Sequence, residues 1–199
     1  MLLDADDCQL VLVDYQPRLM PAIHEGLGVQ AQALRLAQLA QLVGVPTWGT
    51  EQSPDKLGPL APELQALCRR TLAKTDFSAA AILADVLRPA VRAVGGNARS
   101  LPKHLQKPAA AAEGRATVVL AGVEAHVCLL QTALELLEQD FEVWVVTDAS
   151  GSRHERDRDA AFDRLAGNGA ELVTVEMVAF EWLRSADHPQ FKAVQALVK

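Results

Sequence analysis

Two kinds of apolar segment alternate along this 199-residue chain, and the alternation restricts the folds open to it. Residues 9–13, 45–50, 116–121, 142–147 and 170–175 are short runs rich in Val and Leu, mostly bounded by Gly, Pro, Asp or Asn. Near-continuous apolarity over so few residues is the pattern of a strand buried on both faces, as parallel strands are. Longer stretches with helical spacing lie between them. In 29–42, Leu34, Leu36, Leu39, Ala40 and, just beyond, Val43 recur at steps of three and four, leaving Gln30, Gln32, Arg35, Gln38 and Gln41 largely opposite. Residues 127–139 carry Leu130, Leu134 and Leu137 on one stripe. Residues 154–166 carry Ala161, Phe162 and Leu165 and stop at Gly167-Asn168-Gly169.

Such alternation predicts an α/β fold with a mainly parallel sheet and helices on both faces. Right-handed crossovers narrow it to a doubly wound layout, in which ligand chemistry gathers beyond the carboxyl ends of the strands. Two stretches break the pattern. Residues 51–62 hold three prolines and Gly58 and read as an ordered loop; residues 95–114 read as a surface excursion rather than a boundary. There is no internal repeat, so 1–199 is expected to be one domain.

Composition removes several classes of function. The chain has 19 basic and 25 acidic residues, a net charge of −6, and a pI near 5.4, which leaves no basic footprint for nucleic acid. No run approaches the roughly 18 apolar residues of a membrane span. The acidic start, MLLDADDCQL, is unlike a secretion signal. Cys8, Cys68 and Cys128 are odd in number and form no CxxC, so neither a disulfide scaffold nor a zinc ribbon is expected, and a cytoplasmic setting is the default.

The residues following each apolar run carry the chemistry. Asp14 follows the first, either as a turn or cap aspartate or as a working carboxylate. Thr50-Glu51-Gln52 follows the second and either lines a pocket or satisfies a loop. Lys74 stands between an apolar pair and Thr75-Asp76-Phe77-Ser78, with Ser78 placed to cap a helix over 79–87. Cys128 falls in what reads as the first turn of a helix. There the macrodipole and free N–H groups favour a thiolate, the attacking form; the alternative is a small buried hydrophobe. Asp148, Ser152 and Arg153 read as structural, the first two as helix caps and Arg153 as a carboxylate's partner.

Taken together, these residues resemble the isochorismatase-like cysteine hydrolases, in the branch of the isochorismatase domain-containing proteins. The likeness is carried by Asp14, Thr50-Glu51-Gln52, Leu57-Gly58-Pro59, Leu72-Ala73-Lys74-Thr75, and Gly122-Val123-Glu124-Ala125-His126-Val127-Cys128. It continues in Asp148-Ala149, Ser152-Arg153 and His188-Pro189-Gln190-Phe191-Lys192. It implies a three-layer α/β/α fold with about six strands and a catalytic set of Asp14, Lys74 and Cys128. It also implies a cis bond at Val123–Glu124 and an oxyanion site made by the N–H groups of Glu124 and Cys128. Tyr15, Gln16, Glu51, Gln52, Phe77 and His126 become candidates for the pocket wall.

Relatives with a metal site place an Asp and paired histidines near the second strand. Here that region has no histidine, and the five histidines show no ligand spacing, so neither metal nor cofactor is expected. The resemblance therefore implies hydrolysis of a small amide, imide or related carbonyl compound through a thioester-like intermediate, in a homo-oligomer. A binding protein that keeps the fold without turnover, and a redox-active thiol, are the competing readings.

Overall fold

A computed structural model describes residues 2–87 and 114–199. The excursion expected at 95–114 lies, apart from Gly114, outside the described residues.

Six strands form one parallel sheet: β1 (Cys8–Val13), β2 (Thr47–Gln52), β3 (Arg70–Lys74), β4 (Thr117–Gly122), β5 (Glu142–Val146) and β6 (Glu171–Val173). Their order, β3-β2-β1-β4-β5-β6, reverses direction between β1 and β4, giving the doubly wound topology and its crevice at that point. The helices are α1 (Gly26–Val43), the short turns α2 (Pro54–Leu57) and α3 (Pro62–Gln65), α4 (Ala80–Leu87), α5 (Leu130–Glu138), α6 (Glu155–Gly167), α7 (Val175–Leu183) and α8 (Phe191–Val198).

Side chains alternate across the strands and divide the core in two. Leu10, Leu12, Val119, Ala121, Trp144 and Val146 pack toward α1, α7 and α8. Val11, Val13, Val118, Leu120, Val143 and Val145 pack toward α4, α5 and α6. The result is a three-layer α/β/α fold. Helix α1 ends where Gly44 takes φ +78° and Val45 N–H returns to Ala40 O at 2.8 Å.

The five apolar runs correspond to five strands, with ends shifted by a residue or two. The sixth, β3, corresponds to none of the apolar runs. It is an edge strand with Arg70 and Ala73 exposed and only Leu72 and Lys74 buried, so it lacks a continuous apolar run. The loop expected over 51–62 contains α2 and the start of α3, each opened by a proline in its first turn.

At the reversal of strand order the two central strands come unusually close. Val13 pairs with Gly122, and Val123 N–H donates to Val13 O at 3.0 Å. A β-carbon on Gly122 would lie 2.5 Å from Val13 Cβ and 2.7 Å from Val13 O, so no larger residue fits without moving backbone.

Candidate active site

Asp14 leaves the sheet at the end of β1 with φ +57°, a left-handed conformation that aspartate tolerates better than most residues. Its side chain is fully buried, and Oδ1 accepts the Thr50 hydroxyl from β2 at 2.7 Å. Lys74 ends β3, two residues beyond Leu72 and on the same inward face. Its Nζ stands 2.7 Å from Asp14 Oδ2, with the two side chains only 1% and 0% exposed. The ammonium also donates to Gln52 Oε1 at 2.6 Å, to Phe77 O at 2.9 Å and to Asp76 O at 3.3 Å. Strand β2 lies between the two charged residues, and they meet across its end.

Cys128 enters from the far side of the reversal. After β4 the Val123–Glu124 peptide bond is cis, and the chain makes one π-helical turn, Ala125–Leu129, before α5. The Leu129 N–H reaches Glu124 O at 3.3 Å, five residues back, and Ala125 N–H donates to Gly151 O at 2.7 Å. The cysteine is buried within this turn, so the regular first turn of an α-helix expected around it is replaced by a wider one.

The electrostatics of the sulfur also differ from expectation. Burial pushes the Cys128 thiol up to about 12; the Asp14 carboxylate raises it further and the Lys74 ammonium pulls it down. Desolvation thus opposes the ionisation that a helix start would favour. Cys8 and Cys68 are also raised by burial, to about 11 and about 12, and all three cysteines are free.

Six residues were expected on a pocket wall, and the structure distributes them. Phe77 is exposed and its carbonyl receives Lys74. His126 is half-buried, its Nδ1 2.9 Å from Ser152 Oγ. Tyr15 is not on a wall: its ring is wholly within the core and its hydroxyl donates to Ala149 O. Gln16 is likewise fully buried, with its amide engaged by Gln52 and Gly58. Glu51 accepts Leu60 N–H at 2.8 Å, which fixes the loop after β2. Gln52 is half-buried and bonded to Lys74.

The loop after β5 clamps the turn that carries the cysteine. Arg153 Nε donates to Glu124 Oε2 at 2.7 Å, the carboxylate pairing expected of it. Ser152 bonds His126 instead of capping a helix, and Asp148 Oδ1 accepts Val175 N–H at 2.9 Å, serving α7 rather than α6. Burial raises the Asp148 carboxyl, with the Val175 N–H opposing.

The sequence had given no sign of Thr132. Its hydroxyl donates to Cys128 O at 2.6 Å and accepts Ala79 N–H at 2.9 Å, joining the cysteine's turn to the segment that holds the lysine. Ser78 ties the same segment to α5 by donating to Glu135 Oε2 at 2.7 Å, while accepting Ala80 N–H at the start of α4. A threonine four residues after a helical cysteine looks like ordinary core filler, and only the approach of Ala79 reveals it.

Among the described residues, no three of His, Cys, Asp and Glu converge as a metal site would require. No helix there is long and apolar enough to cross a membrane.

The fold and this juxtaposition define a doubly wound α/β/α protein with a buried carboxylate–ammonium pair facing a thiol at the topological switch. The sequence matches the Isochorismatase domain over residues 8–177, and the chain belongs to that family. Mouse isochorismatase domain-containing protein 2A is 36% identical over 190 residues, covering 96% of this chain and 82% of that protein. Among solved structures, the MAR1 ribonuclease of Caenorhabditis elegans superposes with a TM-score of 0.83 at 30% identity, covering 100% of this chain and 92% of its own. The Escherichia coli YcaC gene product, described as an octameric hydrolase of unknown specificity, superposes with a TM-score of 0.79 at 30% identity. That match covers 98% and 88% of the two chains.

Proposed function

We propose that the protein is a cysteine hydrolase acting on a small amide, imide or related carbonyl compound, with Cys128 as nucleophile, Asp14 as proton acceptor and Lys74 as the fixed cation. The observation that carries this reading is the Asp14–Lys74 pair, 2.7 Å apart and out of contact with water, with the Cys128 thiol in the field of both. Family membership supports the same class of chemistry.

A thiol raised to about 12 does not ionise in advance. Its proton passes to Asp14 as sulfur bonds to the carbonyl carbon, which is general-base assistance to a nucleophile. Lys74 stabilises the negative charge that shifts between sulfur and carboxylate. The carbonyl electrons move onto oxygen, which the N–H groups of Glu124 and Cys128 receive; the Glu124 N–H donates to none of the described residues. When the carbonyl re-forms, the C–N bond breaks and the leaving nitrogen takes the proton from Asp14. Water, losing its proton to Asp14, then adds to the thioester carbon; the C–S bond breaks to release the acid, and Asp14 returns the proton to the sulfur. Phe77 and His126 are proposed to face the substrate. No step requires a metal or an organic cofactor.

The name of the worm relative raises RNA as a substrate. A net charge of −6 gives a phosphodiester backbone little to bind, so a small neutral carbonyl compound is favoured. Three free cysteines suit a reducing cytoplasm, and the octameric relative supports assembly of this chain into a homo-oligomer.

The test is a screen of small amides and imides for release of ammonia or amine, with mass spectrometry of the acid-quenched protein. Turnover, with an acyl group on Cys128 that disappears in Cys128→Ser, is expected. No turnover and no adduct across the set would leave a binding protein instead, and a reversible disulfide under mild peroxide would favour the redox reading.

A further inference from the structure

We infer that Gln52 is a positioning residue that fixes the Lys74 ammonium between Asp14 and the Cys128 thiol, and that Gln16 holds Gln52 by standing in for a missing strand. The inference deepens the cysteine-hydrolase reading and rests on it.

The argument begins where β1 ends. The last backbone bond between β1 and β2 runs from Asp14 N–H to Thr50 O at 3.2 Å, after which the left-handed Asp14 takes the chain out of the sheet. Strand β2 continues for two more residues, and Gln52 still pairs with Lys74 of β3 on its other side. Toward β1, the backbone of Gln52 has lost its neighbour. The Gln16 amide fills that place: Oε1 accepts Gln52 N–H at 2.8 Å, and Nε2 donates to Gln52 O at 3.0 Å. One side-chain amide thus satisfies both backbone groups of one strand residue, as a neighbouring strand would. The second Nε2 proton goes to Gly58 O at 2.5 Å, so Gln16, fully buried, has no donor left for a substrate.

With its backbone held on both sides, Gln52 presents a defined side chain. Nε2 donates to Thr75 O at 2.7 Å, which sets the amide's orientation and turns Oε1 to the ammonium at 2.6 Å. An ammonium has three protons, and here four acceptors surround it: Asp14 Oδ2, Gln52 Oε1, Phe77 O and Asp76 O. Gln52 supplies the one uncharged side chain among them. A neutral acceptor anchors the cation without dividing it between two anions. A glutamate of the same shape would hold the ammonium in place yet cancel much of its field at the sulfur.

The chemical difference between glutamine and glutamate makes the inference testable without a known substrate. Alkylation of Cys128 by iodoacetamide is followed by peptide mass spectrometry between about pH 7 and 10, which separates it from Cys8 and Cys68. Gln52→Glu is expected to displace the rate–pH line upward by about one unit, a tenfold slower reaction at fixed pH. Gln52→Met, which removes the acceptor and frees the ammonium without adding charge, is expected to move it by about half a unit. Displacement in Gln52→Glu alone would report the introduced charge and not a positioning role for Gln52, and would overturn the inference. So would no displacement in either while Lys74→Met still moves the line. If Lys74→Met leaves the line unmoved, the cysteine-hydrolase arrangement fails and the positioning role falls with it. Gln16→Met provides an independent arm: a slowing of about threefold or more is expected from loss of the Gln52 backbone partner, with the far-UV spectrum unchanged. An unchanged rate there would sever Gln16 from the lysine.

Discussion

Lys74 Nζ lies 2.7 Å from Asp14 Oδ2, and the two residues arrive from strands that never touch, β3 and β1, across the end of β2. Buried charges cost several kcal/mol each to desolvate and are tolerated when each satisfies the other. Asp14→Asn strands the ammonium and Lys74→Met strands the carboxylate. Each is expected to destabilise the protein by about 3–5 kcal/mol, read from the midpoint of urea unfolding. The double variant Asp14→Asn/Lys74→Met should recover much of that loss, and strictly additive losses would show that the pair is not coupled.

The thiols make stability sensitive to alkali. Cys8, Cys68 and Cys128 are held up at about 11, about 12 and about 12, above the 9.0 of a free thiol. An unfolded chain loses these protons first, so their contribution is full below about pH 9 and is lost as pH climbs toward 11–12. Unfolding midpoints should therefore fall above about pH 9. Cys68→Ala should make that fall shallower, and a slope unchanged by the substitution would count against a buried thiol there.

Thr132 joins the cysteine's turn to Ala79 through one hydroxyl. Thr132→Val leaves a buried carbonyl and a buried N–H without it, at an expected cost of about 1–3 kcal/mol in thermal or urea unfolding. Thr132→Ser keeps the hydroxyl and should lose less. A valine variant that costs no more than serine would show that the hydroxyl relay contributes little.

The Glu124–Arg153 pair offers a contrast. It is as short as the buried pair, but the arginine side chain is 56% exposed. Arg153→Ala should change stability by less than about 1 kcal/mol, with even that declining in high salt. A loss comparable to that of Asp14→Asn would contradict this reading.

What the sequence revealed followed from how each element is buried. Strands β1, β4 and β5 lie in the middle of a sheet covered on both faces, and the requirement for apolar residues throughout made them plain. Strand β3 is half exposed at an edge, where Arg70 and Ala73 satisfy solvent and break the run. Asp14, Lys74 and Cys128 each admitted a structural reading from their surroundings, and it was the resemblance to the isochorismatase-like hydrolases that set them together. The charge state of the sulfur was not readable. It depends on how deeply the π turn buries Cys128, a property of three-dimensional packing rather than of the heptapeptide ending at that residue. Tyr15 and Gln16 were misplaced for a related reason. Polar side chains after a strand suggest a pocket, yet here their polar atoms find Ala149, Gln52 and Gly58 inside the protein.

Gly122 faces Val13 with no room for even a methyl group, and Gly122→Ala is expected to cost about 1–3 kcal/mol or more as the backbone is pushed aside. That contact welds the stem of the thiol-bearing turn to the stem of the aspartate. The two cannot drift apart by gradual substitution, since the first step already breaks the seam. Under the roles proposed for Asp14 and Cys128, the distance between base and nucleophile is therefore set by this seam, and changes of substrate are left to less buried residues such as Phe77 and His126.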